Sequence, residues 1–278
     1  MIRFIILISV VFVFCYGYAL SHDIWPFEGM DENQRGVFGD SCGAFTSIFS
    51  AMGFCGVLWT IKLQMDATKK LEDDAKKREQ AEKVRDFENT FFNMLNIIQS
   101  LISGMQVVDR THKKILAEGR GVFLHFYKNF KTYVVKEKNG LVNYKDLSEA
   151  NQNDVASKLG AAYELYFSNR SQNLSHYYRF LFNTYKFIDE SDLQHEIKRK
   201  YANILRAQLS NYELVMLFYN AQASYGAKFI KYFEKYQVLD NTPVKKLISL
   251  KHVRLISINA WGDNPLALKM IKKNAGHS

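Results

Sequence analysis

Tyr201 to Asn220 (YANILRAQLSNYELVMLFYN) has no Gly or Pro and is apolar around most of its circumference, yet Arg206, Ser210, Glu213 and Asn220 fall 4, 3 and 7 residues apart. On a helix advancing by about 100° per residue these four share roughly 80° of arc. A cation, a hydroxyl, a carboxylate and an amide on one face of a buried helix either form an internal network that fixes its register or line a site for a ligand or substrate. A buried ion pair that has lost one partner costs about 3–5 kcal/mol, so the stripe must find partners elsewhere in the chain. Leu174 to Ile188 (LSHYYRFLFNTYKFI) carries a second stripe, His176, Arg179, Asn183 and Lys186, spaced 3, 4 and 3. Two such helices bury their polar faces at least cost by turning them together, which makes Glu213 the expected shared acceptor for Arg206 and for Arg179 or His176. One further pair has chemical potential: five residues separate Arg170 from His176, and a His can pass a proton while an Arg holds a phosphate.

The Arg-x5-His pattern resembles the HEPN class of all-helical ribonucleases, although 37 basic residues produce such spacings by chance. The chain has no phosphate-binding GxxxxGK[ST], no GxGxxG, no HExxH, no CxxC and no GxSxG, and no two of its seven His residues stand three or four apart. Nucleotide-binding motifs of the common kinds and helix-borne metal sites are thus unsupported, and neither cofactor nor metal is expected. A net charge of +9 permits an anionic partner, phospholipid or nucleic acid, without choosing between them. Cys15, Cys42 and Cys55 are the only cysteines, which excludes a disulfide scaffold and suits a reducing compartment for the larger C-terminal part.

The elements that must position these residues read as all-α. Phe4 to Leu20 and Gly43 to Ile61 are uncharged runs of seventeen and nineteen residues, so a two-span transmembrane hairpin is expected over 1–62, with spans at about 4–20 and 43–61. Gly17-Tyr18-Ala19 is also a small-x-small site that a signal peptidase could cut. Between the two runs stand Asp23, Glu28, Asp31, Glu32 and Asp40 against Arg35, whereas Lys62, Lys69, Lys70, Lys76, Lys77 and Arg78 follow the second. That asymmetry predicts a multi-pass membrane protein with a cytoplasmic C-terminal body. Residues 63–86 read as a charged connecting helix. Val84, Phe87, Phe91, Met94, Ile98, Leu101, Met105 and Val108 then alternate steps of 3 and 4, the seam of a coiled coil or of one chain's own core. An aromatic run (VFLHFYKNFKTYVV), a polar segment at 136–153, helical periodicity from Ser157 and a helix near 223–236 complete a bundle over 87–243. A basic C-terminal tail follows at 244–278, whose VRLISINAW segment fits strand or helix equally.

FENTFFNMLN (Phe87 to Asn96), HYYRFLFNTYKFID (His176 to Asp189) and the Tyr201–Asn220 block together resemble the phage abortive infection (AbiC-like) family. The resemblance implies bacterial defence that stops the growth of an infected cell, and hence that the expected spans lie in a bacterial inner membrane; it supplies no active site to carry over. Three modes of action are open: a non-enzymatic sensor or effector that meets a phage-derived trigger protein and disturbs the lipid bilayer, a membrane-tethered ribonuclease using Arg170 and His176, or a structural adaptor forming homo-oligomers through the 84–108 seam.

Overall fold

The computed structural model describes residues 2–22, 24–25, 27–109, 111–137, 149–168 and 174–275, in two compact units, Met1–Gln80 and Ala81–Ser278. The fold is mostly helical, with one small antiparallel hairpin.

In the first unit the expected two-span hairpin is not what forms. Among the described residues one helix is long and apolar enough to cross a bilayer, α2 (Glu32–Ser103). The earlier apolar run does fold as a helix, α1 (Ile2–Ser21), but its uncharged stretch, Phe4–Leu20, rises about 25 Å and falls short of a hydrocarbon core of about 30 Å. The multi-pass arrangement is therefore corrected to a single candidate span. Between α1 and α2 the buried Phe27 sits edge-on to Tyr16 and to Phe38, with ring centroids 5.5 and 5.6 Å away. The apolar window of α2 has no protein cover at all. Phe49, Met52, Phe54, Val57, Leu58 and Trp59 are all exposed, and a helix apolar all round needs lipid or other helices about it. From Lys62 to Lys83 every residue of α2 is exposed, as its charge predicts.

In the second unit the last turns of α2 enter the core. Phe87, Phe91, Leu95, Ile98 and Ile102 are buried there, with Phe87 stacked on Phe187 at 4.9 Å and meeting Tyr201 at 4.8 Å. The seam expected over 84–108 is thus occupied by its own chain, and it stops early because α2 ends at Ser103. Two strands, β1 (Gln106–Asp109) and β2 (Lys114–Glu118), pair antiparallel. The Asp109 carboxylate accepts the Thr111 N–H at 2.9 Å, an Asx-type closure of the turn.

Helices α3 (Gly121–Glu137), α4 (Glu149–Phe167), α5 (Ser175–Glu190), α6 (His195–Ala207), α7 (Asn211–Asn220), α8 (Ile230–Tyr236) and α9 (Pro265–Ala275) build the rest. The polar segment at 138–148 lies outside the described residues. From Glu213 to Asn220 every residue of α7 is buried, with α3 and α4 packed on it: Phe130 of α3 lies 5.5 Å from Tyr219, ring to ring. The basic segment from Val244 folds as 3-10 turns, Val244–Lys246, Leu250–Leu255 and Ile258–Trp261, before α9. Its Val253 and Trp261 are fully buried, Trp261 against Phe218 at 5.8 Å. VRLISINAW is therefore parts of two 3-10 turns joined by an extended link at Ile256–Ser257, and its Arg254 turns back to donate to the Met270 carbonyl of α9 at 3.1 Å.

Asp189 ties three helices. Its carboxylate accepts from Lys235 Nζ (2.5 Å) and the Tyr236 hydroxyl (2.7 Å) of α8, and its carbonyl accepts Lys198 Nζ of α6 (2.8 Å). Burial alone would raise this carboxyl's pKa; the Lys235 and Tyr236 hydrogen bonds with the Lys235 and Lys198 charges outweigh it and hold the group below its ordinary value. A depressed carboxyl gives stability that is fully present above the unfolded-state pKa, about 3.9, and is lost as pH falls through the folded value. Asp189→Asn should therefore lose less stability than wild type between about pH 5 and pH 3, measured by urea denaturation in detergent. Equal losses would show that the pairing is too solvated to matter.

A second prediction comes from the closest approach of α4 to the turn after α7. A methyl added at Gly160 would lie 2.1 Å from the Gln222 carbonyl oxygen, a backbone atom with no rotamer to change. Gly160→Ala should cost about 1–3 kcal/mol or more, read from the same denaturation curves; an unchanged midpoint would mean that the two elements separate freely.

Candidate functional site

Tyr201 to Asn220 is not one helix. The chain leaves α6 at Gln208 and starts α7 at Asn211, with Ser210 as N-cap. The Ser210 hydroxyl accepts the Glu213 N–H at 3.4 Å while the Glu213 carboxylate accepts the Ser210 N–H at 2.8 Å, a reciprocal capping box. The break separates Arg206 from the other three. Its guanidinium donates to the Gln237 carbonyl at 2.7 Å and pairs with Asp240 at 3.2 Å, bracing the left-handed cap of α8 at Gln237 (φ 53°).

Glu213 has no solvent exposure. Its Oε2 accepts Arg120 Nη1 at 2.5 Å as well as the Ser210 N–H, and its Oε1 accepts the Tyr177 hydroxyl at 2.9 Å. Arg120 also donates to the Gln208 carbonyl (2.9 Å) and to Gln99 Oε1 (3.2 Å), so one guanidinium joins α2, the break after α6, and α7. The turn that delivers it holds Gly119 at φ +53°, a left-handed conformation that glycine takes without strain. Burial first, and then the charge of Glu213, push the Tyr177 hydroxyl well above its ordinary pKa, so it stays a donor at any physiological pH. Glu213 is thus the shared acceptor on α7, but its partners are Arg120 and Tyr177, not Arg206, Arg179 or His176. Sequence reading passed over Arg120 as part of a Gly-Arg-Gly break, and passed over Ser210-x-x-Glu213, whose spacing is itself a helix-start signal.

The stripe on α5 turns the other way. His176, Arg179, Asn183 and Lys186 are exposed, while Tyr177, Tyr178, Leu181, Tyr185 and Ile188 face the core. Arg179 Nη2 lies 3.1 Å from His176 Nδ1, and its Nε donates to the Ser175 carbonyl at 3.3 Å. Arg170 lies outside the described residues. Arg179, Asn183 and Asn220 nevertheless share a surface: they line a cleft of about 620 Å³, floored by Tyr163 and Phe167 of α4 and by Tyr178 and Phe182 of α5. Five of the eight residues of the two stripes therefore divide between a buried node (Ser210, Glu213) and an open cleft (Arg179, Asn183, Asn220), while Lys186 faces Glu190 at 3.7 Å on the exposed side of α5. Arg206 and His176 belong to neither.

The node is built to hold, not to react. Glu213 has both oxygens engaged and no path to solvent, so it cannot take a proton from a substrate. The cleft offers the opposite: aromatic walls, cations at the rim and, in Asn183, an amide with no partner among the described residues, which are binding chemistry.

Residues 169–247 match the family model putAbiC, described as Putative phage abortive infection protein. The match takes in α5 to α8 and includes Glu213 and both cleft-facing asparagines; the FENTFFNMLN block resembling the same family lies outside it. No curated protein and no solved structure matches the chain.

Glu213→Gln tests the node. An amide keeps one acceptor oxygen but sets an NH2 against a donor, Arg120, the Ser210 N–H or Tyr177, leaving one group unsatisfied at a cost of about 1–3 kcal/mol. Folded protein should persist at lower stability, as read from the urea midpoint. A wild-type midpoint in Glu213→Gln would show that the carboxylate's charge holds nothing together.

Proposed function

We propose that this protein acts in bacterial anti-phage defence as an abortive-infection protein, anchored by the single span of α2 and carrying a helical body that acts by non-enzymatic interaction. The observation that carries this reading is the match over 169–247, which takes in the central buried helix α7 and α5, whose Tyr177 meets Glu213, rather than a peripheral segment. The exposed apolar window of α2 supports the lipid bilayer as one partner, and the basic flank from Lys62 suits an anionic leaflet beside it. The spent carboxylate of Glu213 argues against acid–base chemistry at the node. A phage-derived trigger protein and further copies of the chain are the other partners this reading calls for.

Phage challenge of cells expressing the wild type and a Met52→Lys/Gly56→Lys variant tests it, with plating efficiency, membrane potential and RNA integrity followed together. Each lysine at the centre of a span costs about 2.5–3.5 kcal/mol of insertion. The variant should lose both membrane association and protection at normal abundance, and wild-type protection should come with a fall in potential while RNA stays intact. RNA fragmentation with the potential preserved would sink the non-enzymatic reading in favour of a ribonuclease; in that case Arg170→Ala and His176→Ala would abolish protection, whereas here both should protect normally.

A further inference from the structure

The cleft between α4, α5 and the turn after α7 has more unspent polar capacity than a structural groove needs. Its volume, about 620 Å³, lies within the range of small-molecule sites, about 300–1,000 Å³. Lys228 lines it and has no charge or hydrogen-bond partner among the described residues; the Asn183 amide has none either, and Arg179 Nη1 makes no hydrogen bond among them. Below, the hydroxyls of Tyr163 and Tyr178 are buried without a hydrogen bond of normal geometry, side by side and with the Asn220 amide close to Tyr163.

Glu164 also lines the cleft, and its carboxylate sets the polarity of the site. One oxygen, Oε1, accepts both the N–H and the hydroxyl of Ser224, at 2.7 and 2.6 Å; Oε2 accepts nothing among the described residues. Near it Tyr225, exposed at the rim, has its hydroxyl pushed up to about 12 by burial and by the Glu164 charge, and its ring stands 6.4 Å from that of Tyr163. Among the described residues the cleft therefore presents the unpaired Lys228, the unspent Nη1 of Arg179, one open carboxylate oxygen of Glu164 and the Asn183 amide over flat aromatic walls. An occupant must bear an anionic group for Arg179 and Lys228, a planar ring for the walls, and an N–H donor for Glu164. A fatty acid lacks the ring and the donor; inorganic phosphate lacks everything but the charge.

We propose that this cleft binds a mononucleotide whose base carries an exocyclic amine, with the phosphate held by Arg179 and Lys228, the base against the aromatic walls, and the amine donating to Glu164. Charge-assisted contacts to phosphate are among the strongest single polar contacts, and stacking on aromatic rings tolerates any base, so the amine contact supplies the discrimination. The assignment rests on the cleft and not on the defence reading, and either can fail without the other.

Calorimetric titration of the full chain in detergent with AMP, CMP and GMP tests it, with adenosine and inorganic phosphate as the two halves of a ligand. At least one mononucleotide should bind saturably at one per chain, with adenosine and phosphate each about tenfold weaker or worse. Arg179→Ala and Lys228→Ala change exposed side chains, so each should keep the wild-type melting temperature while weakening the nucleotide by about tenfold. No saturable binding of any of the three, phosphate binding as tightly as the nucleotide, or undiminished binding in the Arg179→Ala/Lys228→Ala double variant would each overturn the proposal.

Discussion

A carboxylate with no access to water sits at the start of the central helix, and the second unit is arranged to satisfy it. Desolvating Glu213 is costly unless cations and donors meet every lone pair that burial strips of water. The donors come from three places far apart in sequence: Arg120 ahead of α3, Tyr177 on α5, and the Ser210 N–H at the break before α7. Each is a geometric condition. Arg120 must arrive from a left-handed turn that Gly119 makes without strain, α5 must show Tyr177 and not His176 to the core, and the chain must break at Ser210 so that the carboxylate can fold back on its own cap.

That condition explains where the sequence was legible and where it was not. Burial of α7 was written in its composition, since NYELVMLFYN has no exposed face to offer water. The need of Glu213 for partners followed from the same fact. The partners themselves did not, because a donor 93 residues upstream leaves no periodic trace, and an Arg between two glycines looks like loop punctuation. The break at Ser210 had a local sign, Ser-x-x-Glu, but apolar periodicity continues across it and outweighs a four-residue pattern. A second helix with a polar stripe suggested two stripes facing each other; α5 instead carries its aromatic side inward, with Tyr177 against Phe123 at 4.9 Å, and offers its stripe to solvent. Aromatic area outbids a row of charges for the core whenever those charges can stay wet.

The membrane segment shows a different limit. Phe4 to Leu20 and Gly43 to Ile61 are both free of charge, and both fold as helix, so hydropathy alone ranks them alike. Length separates them: every backbone group in a bilayer must be satisfied inside the helix, and a stretch that falls short leaves its ends in hydrocarbon. In α2 the apolar window continues into charged turns at one end, so the same helix has side chains that can reach headgroups and water.

The node and the cleft are held by the same two helices, and this limits how a ligand can act. Neighbouring residues of α5 face them: Tyr177 reaches Glu213, while Tyr178 and Arg179 line the cleft. On α7, Glu213 stands in the first turn and Asn220 at the last position. A conformational switch needs two arrangements of comparable energy, each satisfying its own polar groups. Glu213 has one set of donors, and among the described residues no cation other than Arg120 is paired with it, since Arg206 is engaged with Asp240 and Gln237, and His176 lies on the outer face. Re-pairing the node would leave a buried carboxylate bare, at a cost larger than differential binding of a small ligand ordinarily supplies. The α5–α7 wall is therefore the fixed side of the cleft. Movement on ligand binding falls to the opposite rim, where Tyr225 and Lys228 stand exposed beyond the end of α7.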